Sequence, residues 1–174
     1  MLLLALPSKS PLDSPGQGPN NTISSRSAQR FGLLITLPSC ERGERVALQQ
    51  GMTFEVEHLV SDEVTAHRMG NDGFHVLATP MIFAWFEEAA RKLAAAHLEP
   101  GQGTVGTLVT LKHLAATPVG MTVRVKATLR EVDGRRLLFD LEAHDGKEKI
   151  AEGHNERFVV NLGKFIEKVA RKNN

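Results

Sequence analysis

Residues 76–97 read VLATPMIFAWFEEAARKLAAAH, and no other stretch restricts the fold of this chain so tightly. Thr79-Pro80 is a helix start. The pattern predicts a threonine N-cap, then a proline at the first helical position, where its missing N–H costs nothing. The six residues from Met81 to Phe86 are all apolar, so the first two turns offer no face made for water. A helix that is apolar all round is buried in a core or in a membrane. A membrane span needs about 20 such residues. This run is far shorter, so the helix belongs inside a globular domain.

Two carboxylates, Glu87 and Glu88, close that run. At about 100° per residue, Glu87 lies roughly 80° around the helix from Thr79 and Glu88 roughly 180°. Only Glu87 therefore shares the side of Thr79, together with Phe83 and Ala90. Each acid has a base four residues on, Arg91 and Lys92 respectively, in the favourable order. A solvated ion pair accounts for Glu88. Two readings stand for Glu87: the same kind of pair, or a partly desolvated carboxylate suited to acid/base work.

With 174 residues the chain suits one domain and an extension. A formal net charge of +1 points away from nucleic acid as a main partner. A single cysteine, Cys40, excludes an intrachain disulfide framework and fits a reducing, cytoplasmic setting. Seven histidines come without HExxH or CxxC, so no metal site is expected. Residues 1–48 stand apart: five of the eight prolines fall in the first 40 residues, and Asp13 is the one acid there. We expect this extension to be disordered. Its opening MLLLALP lacks a preceding basic residue, which argues against a secretory signal. A transit-like leader and an upstream start site both remain open as its origin.

The domain, residues 49–174, starts with strand-like alternation from Met52 to Leu59. Ser61 is expected to cap a short helix, SDEVTAHRM, followed by a Gly70–Gly73 loop. After the central helix the period changes from helical to strand-like. Thr104 to Ala115 reads as a strand, and Met121 to Val132 alternates strictly. Asp133-Gly134 and Asp145-Gly146 read as tight hairpin turns around the next strand. A last strand runs from Lys147 to Val160, and Asn161 caps a short amphipathic tail helix. The order strand, helix, then four strands joined by hairpins implies an α+β domain, an antiparallel sheet with one buried helix. One sheet cannot cover the helix on every side, so a homodimer or higher homo-oligomer is expected.

Three more residues invite a chemical reading. His113 shares its strand parity with Leu111, Val109 and Thr107, as a structural histidine also would. Gly106 interrupts a strand, marking either a bulge or a close ligand approach. Thr79 guards a helix N-terminus, a natural place to stabilise an oxyanion.

The segments LATPMIFAWFEEAA, EPGQGTVGTLVTLKHLAATPVGMTVRVKATLREVDGRRLLF, HDGKEKIAEGHNERFVV and LGKFIEKV together resemble the hotdog-fold thioesterases related to fluoroacetyl-CoA thioesterase. The resemblance implies a hotdog fold, an antiparallel sheet wrapped around one long helix. It further implies a catalytic set of Thr79, Glu87 and His113, with Gly106 and Arg157 as substrate-binding residues. Thr79 would be the nucleophile or the residue that positions water. The family's namesake carries phenylalanines just before the threonine segment. Here that stretch is Met69 to His75, glycine-rich with Phe74 alone, so selectivity for the fluorinated substrate does not carry over. The expected activity is hydrolysis of a small acyl-CoA to acid and CoA, without metal or bound cofactor, and with neither nucleic acid nor membrane as partner. Two rivals share the fold. One is a non-catalytic acyl-CoA-binding module. The other is a hydratase or dehydratase, whose loop-helix Asp/His pair is not found in this sequence.

Overall fold

The computed structural model describes residues 46–173, so the expectation for the extension lies almost wholly outside the described residues. Strand β1 (Thr53–Leu59) leads through a 3-10 turn (Asp62–Val64) to helix α1 (Thr79–Ala95). Strands β2 (Gln102–His113), β3 (Thr122–Asp133), β4 (Arg136–His144) and β5 (Lys149–Asn161) follow, then helix α2 (Leu162–Ala170). The strands form one antiparallel sheet in the order β1-β3-β4-β5-β2.

Alternation places the core. Val123, Val125, Ala127 and Leu129 of β3 are fully buried, as are Leu137 and Phe139 of β4. They meet Ile82, Phe86, Ala89, Ala90 and Leu93 of α1 in one cluster. The intervening residues point to water and carry ion pairs such as Arg124–Glu57 at 2.7 Å. One side of the sheet is thus closed by the helix and the other is solvated, as antiparallel sheets allow. Among the described residues no helix is long and apolar enough to cross a membrane.

Four local expectations are corrected. Helix α1 begins at Thr79 itself, with Ala78 as an extended N-cap that makes no side-chain cap. Pro80 therefore sits one position further in, still among the first N–H groups that need no helical partner. The helix expected after Ser61 shrinks to a single 3-10 turn, because Thr65 leaves it to bridge Leu77. The Asp145-Gly146 turn is a four-residue loop built on a buried Asp145, whose carboxylate accepts N–H bonds from Lys147 and Glu148. Burial pushes the Asp145 carboxyl up, but those N–H groups and the Thr117 hydroxyl outweigh it and hold it below the usual range.

The fourth correction concerns topology. β2 does not hairpin to β3; it pairs with β5 at the far edge of the sheet. Both sides of β3 are taken, by β1 and β4. Helix α1, about 25 Å long at 1.5 Å per residue, carries the chain across to the free side of β5. The return segment is pinned beneath the helix start, where Leu77 N–H donates to Thr117 C=O at 2.8 Å and Val76 bridges Pro118.

The β2–β5 pair sits so close that Gly153 admits no side chain: a Cβ there would overlap the Thr110 carbonyl. Gly103, on the same pair, has nothing within 4 Å. Gly153→Ala should lower stability by about 1–3 kcal/mol or more, and Gly103→Ala by no more than about 0.5 kcal/mol. Urea unfolding of the two variants side by side checks the difference.

Candidate active site

Gly106 pairs with Arg157 and Leu108 with Glu156, so Thr107 is an extra residue in β2. This bulge decides the site. On a regular strand, residues seven apart point to opposite faces. The extra residue brings Gly106 and His113 to the same side, facing α1, together with Val109 and Leu111. Thr107 anchors its own bulge, its hydroxyl donating to Glu156 Oε1 at 2.7 Å. That bond, followed by the Arg136 guanidinium, holds the Glu156 carboxyl below the usual range.

Glu87 faces the same strand pair. Its Oε2 accepts from Arg157 Nη1 and its Oε1 from Asn155 Nδ2, rather than from Arg91 on its own helix. Arg157 is 3 % exposed and is braced by Thr104, whose hydroxyl accepts from Nε at 2.9 Å and whose carbonyl accepts from Nη2. Gly106 supplies the room: a Cβ there would lie 2.6 Å from Glu87 Oε1. Gly106 is thus both the bulge neighbour and the floor under a carboxylate.

Glu88 behaves as the solvated pair expected of it. Its carboxylate meets Lys92 Nζ at 2.7 Å and His58 Nε2 at 2.9 Å, while the His58 ring stacks on Trp85. The Lys92 hydrogen bond holds its carboxyl below the usual range, against the opposing effect of burial and with help from His58.

The second cluster lies at the helix start. Thr79 Oγ1 and His113 Nδ1 are 2.9 Å apart, and His113 Nε2 is buried without a hydrogen-bond partner among the described residues. The hydroxyl expected to cap the helix is instead committed to the histidine. Thr79 and Glu87 are eight residues apart, a rise of about 12 Å along α1. Within one chain, therefore, Thr79 joins His113, and Glu87 joins Gly106 and Arg157; the two groups do not touch. Asn155 and Thr104 went unnoticed in the sequence. A signal existed for Asn155, which shares the parity of Arg157 in HNER on a strand whose inward side is otherwise small or apolar.

Two concave patches lie on the outer face of the sheet, one along Lys112, Asp140, Glu152 and His154 and one along Glu57, Arg124 and His144. Neither includes Thr79, Glu87 or His113. Among the described residues no group of three or more His, Cys, Asp or Glu side chains is set to hold a metal ion.

Comparison with known proteins points in one direction. The family model described as FlK, fluoroacetyl-CoA-specific thioesterase, matches residues 60–162. A fluoroacetyl-CoA thioesterase from Streptantibioticus cattleyicolor is 46% identical over 97 residues, 56% of this chain and 70% of that protein. A solved structure of the fluoroacetyl-CoA thioesterase FlK superposes with a TM-score of 0.67 at 38% identity, covering 73% of this chain and 98% of that one. A hot-dog-like protein from Thermanaerovibrio acidaminovorans shares the fold, with a TM-score of 0.68 at 22% identity over 72% of this chain and 93% of its own. The fold is the hotdog.

Arg157 is deeply buried, whereas the Glu87 side chain is 30% exposed. Removing one partner of such a pair leaves an uncompensated charge. Arg157→Gln should cost about 3 kcal/mol, the low end for a broken buried pair. Glu88→Gln should cost less than about 1 kcal/mol. Thermal or denaturant unfolding of both variants checks the contrast.

Proposed function

The chain belongs to the fluoroacetyl-CoA-specific thioesterase family, and from that premise we propose that it hydrolyses a small acyl-CoA to the free acid and CoA. The observation that carries the reading is the Glu87 carboxylate. It is drawn off its helical partner Arg91 and held against the bare backbone of Gly106 by two donors from β5. A solvated helix acid needs no such setting. A carboxylate that must take a proton from water next to a carbonyl does.

In this reading Glu87 is the base that deprotonates the attacking water, and Gly106 lets the acyl group lie close to the backbone. The Thr79 hydroxyl, on the first turn of α1 and backed by His113, donates to the thioester oxygen as it becomes an oxyanion. His113 gives a proton to the departing CoA thiolate and is reprotonated from solvent as Glu87 releases the proton taken from water. Arg157 orients Glu87. The scheme calls for no metal and no cofactor beyond the CoA of the substrate. The lid stretch holds one phenylalanine, Phe74, 57% exposed, so we assign a small acyl group without selectivity for fluorine. A cytoplasmic setting is in keeping with the single cysteine.

The separation of the two clusters calls for a second copy of the chain. Thr79, Pro80, Phe83 and Ala84 form an exposed face on α1, with Phe83 42% exposed despite its size. Thr79 stands four residues before Phe83 and Glu87 four after it. A two-fold axis at Phe83 would therefore set Thr79 and His113 of one protomer opposite Glu87 of its partner. The homodimer we propose completes the site as well as the burial.

Two measurements test this. With short acyl-CoAs and a colorimetric readout of free thiol, Glu87→Gln should lower kcat by about 10²–10⁴, while Glu88→Gln stays near the parent rate. His113→Ala should lose turnover, and Thr79→Ser should keep far more than Thr79→Ala. Equal, small effects at both glutamates would reject the site, and tight binding without thiol release would make the protein a binding module. In sedimentation, the parent should run as a dimer at low micromolar concentration and Phe83→Glu should shift toward monomer with loss of activity. A monomeric parent at full activity would reject the shared site.

A further inference from the structure

We infer that Asn155 works in the same site: its amide nitrogen fixes the Glu87 carboxylate, and its carbonyl oxygen accepts a hydrogen bond from the attacking water. The inference rests on the thioesterase reading and on Glu87 as base.

Asn155 is 1% exposed and lies on the inward side of β5, opposite Val109. Its Nδ2 donates to Glu87 Oε1. That contact settles which way the amide points, because the reversed amide would set two acceptors against each other. The Oδ1 atom is then buried, and no donor among the described residues reaches it. A buried acceptor without a donor lowers stability, and a leucine of similar size would avoid the defect. Apart from Arg157, the other inward residues of β5, Ala151, Gly153 and Val159, are non-polar. Arg157 already holds the other oxygen of Glu87. Holding the carboxylate therefore does not explain why the side chain should also carry a free oxygen.

The donor that Oδ1 awaits is not the scissile group, since a thioester carbonyl and its sulfur carry no hydrogen. Water carries two. One can point to Oδ1 and the other to Glu87, which leaves the oxygen lone pairs free for the acyl carbon. As the C–O bond forms, the O–H bond facing Glu87 breaks and its proton passes to the carboxylate. The other hydrogen remains on the new carboxylic acid. The C–S bond breaks with its electron pair on sulfur, which takes a proton from His113; Glu87 then releases its proton to solvent and His113 takes one up, restoring both groups.

Asn155→Leu keeps the volume and removes both polar atoms. It should reduce kcat by about 10- to 100-fold, with KM within about twofold and an unchanged or higher melting temperature. Asn155→Asp keeps the accepting oxygen but loses the donor to Glu87. Protonating the new acid restores that donor, so the activity of this variant relative to the parent should rise as the pH is lowered, an effect that packing alone would not produce. Even if Asn155→Leu fails to fold, that pH profile decides the matter. An unchanged kcat in Asn155→Leu, a raised KM at constant kcat, or a parent-like pH profile in Asn155→Asp would each overturn the inference. Glu87→Gln is measured alongside. If it is as active as the parent, the site reading itself falls; if it is inactive while the Asn155 variants are not, only the role of Asn155 falls.

Discussion

An antiparallel strand shows its inward neighbour every second residue, so the helix facing β2 would see either Gly106 or His113 but not both. The single extra residue at Thr107 breaks that count, and the site depends on it. Upstream of the bulge the strand presents a glycine, whose missing side chain makes room for Glu87. Downstream it presents a histidine within hydrogen-bonding distance of Thr79. Bulges are common beside active sites because they re-aim side chains without changing the fold. Here the device is locked by its own hydroxyl, tied to Glu156 on the outer face.

The Glu87–Arg157 pair follows from this arrangement and has its own cost. A guanidinium only 3% exposed has lost its water, and it is tolerated because its donors are directed at Glu87 and at both oxygens of Thr104. Well-packed apolar residues would stabilise such a location at least as well. Under the proposed mechanism the ionic arrangement serves as pre-organisation, because a carboxylate fixed in place does not have to be reoriented during reaction. Glu88, one residue on, shows the opposite design, with a flexible lysine and a partly exposed histidine as partners.

The helix that holds these groups also limits a single chain. Its inward face is closed by β3 and β4, while Phe83 and Ala84 look outward beside Thr79. An exposed apolar residue of that size on the same face as Thr79 is what the proposed link between assembly and chemistry rests on. The equal spacing of Thr79 and Glu87 about Phe83 is the geometry that the proposed symmetric partner would use to set the two clusters opposite each other.

Much of this was legible in the chain. Period-two alternation in Met121–Val132 and the apolar run after Pro80 determined an antiparallel sheet with one buried helix, since both patterns depend on neighbours a few residues away. The same angular count separated Glu87 from Glu88, and Gly106 stood out as a glycine inside a strand. What lay beyond reach was every choice of distant partner. Local spacing offered Arg91 to Glu87, and the sheet supplied Arg157, seventy residues away. Thr79 read as a cap until His113 was brought to it, and Asn155 showed only its shared parity with Arg157, with nothing local to name Glu87 as its partner. β2 took the far edge because β1 and β4 already occupied both sides of β3, a competition among strands that no local window records. Sequence periodicity determines which face a residue occupies; only the tertiary arrangement decides what that face meets.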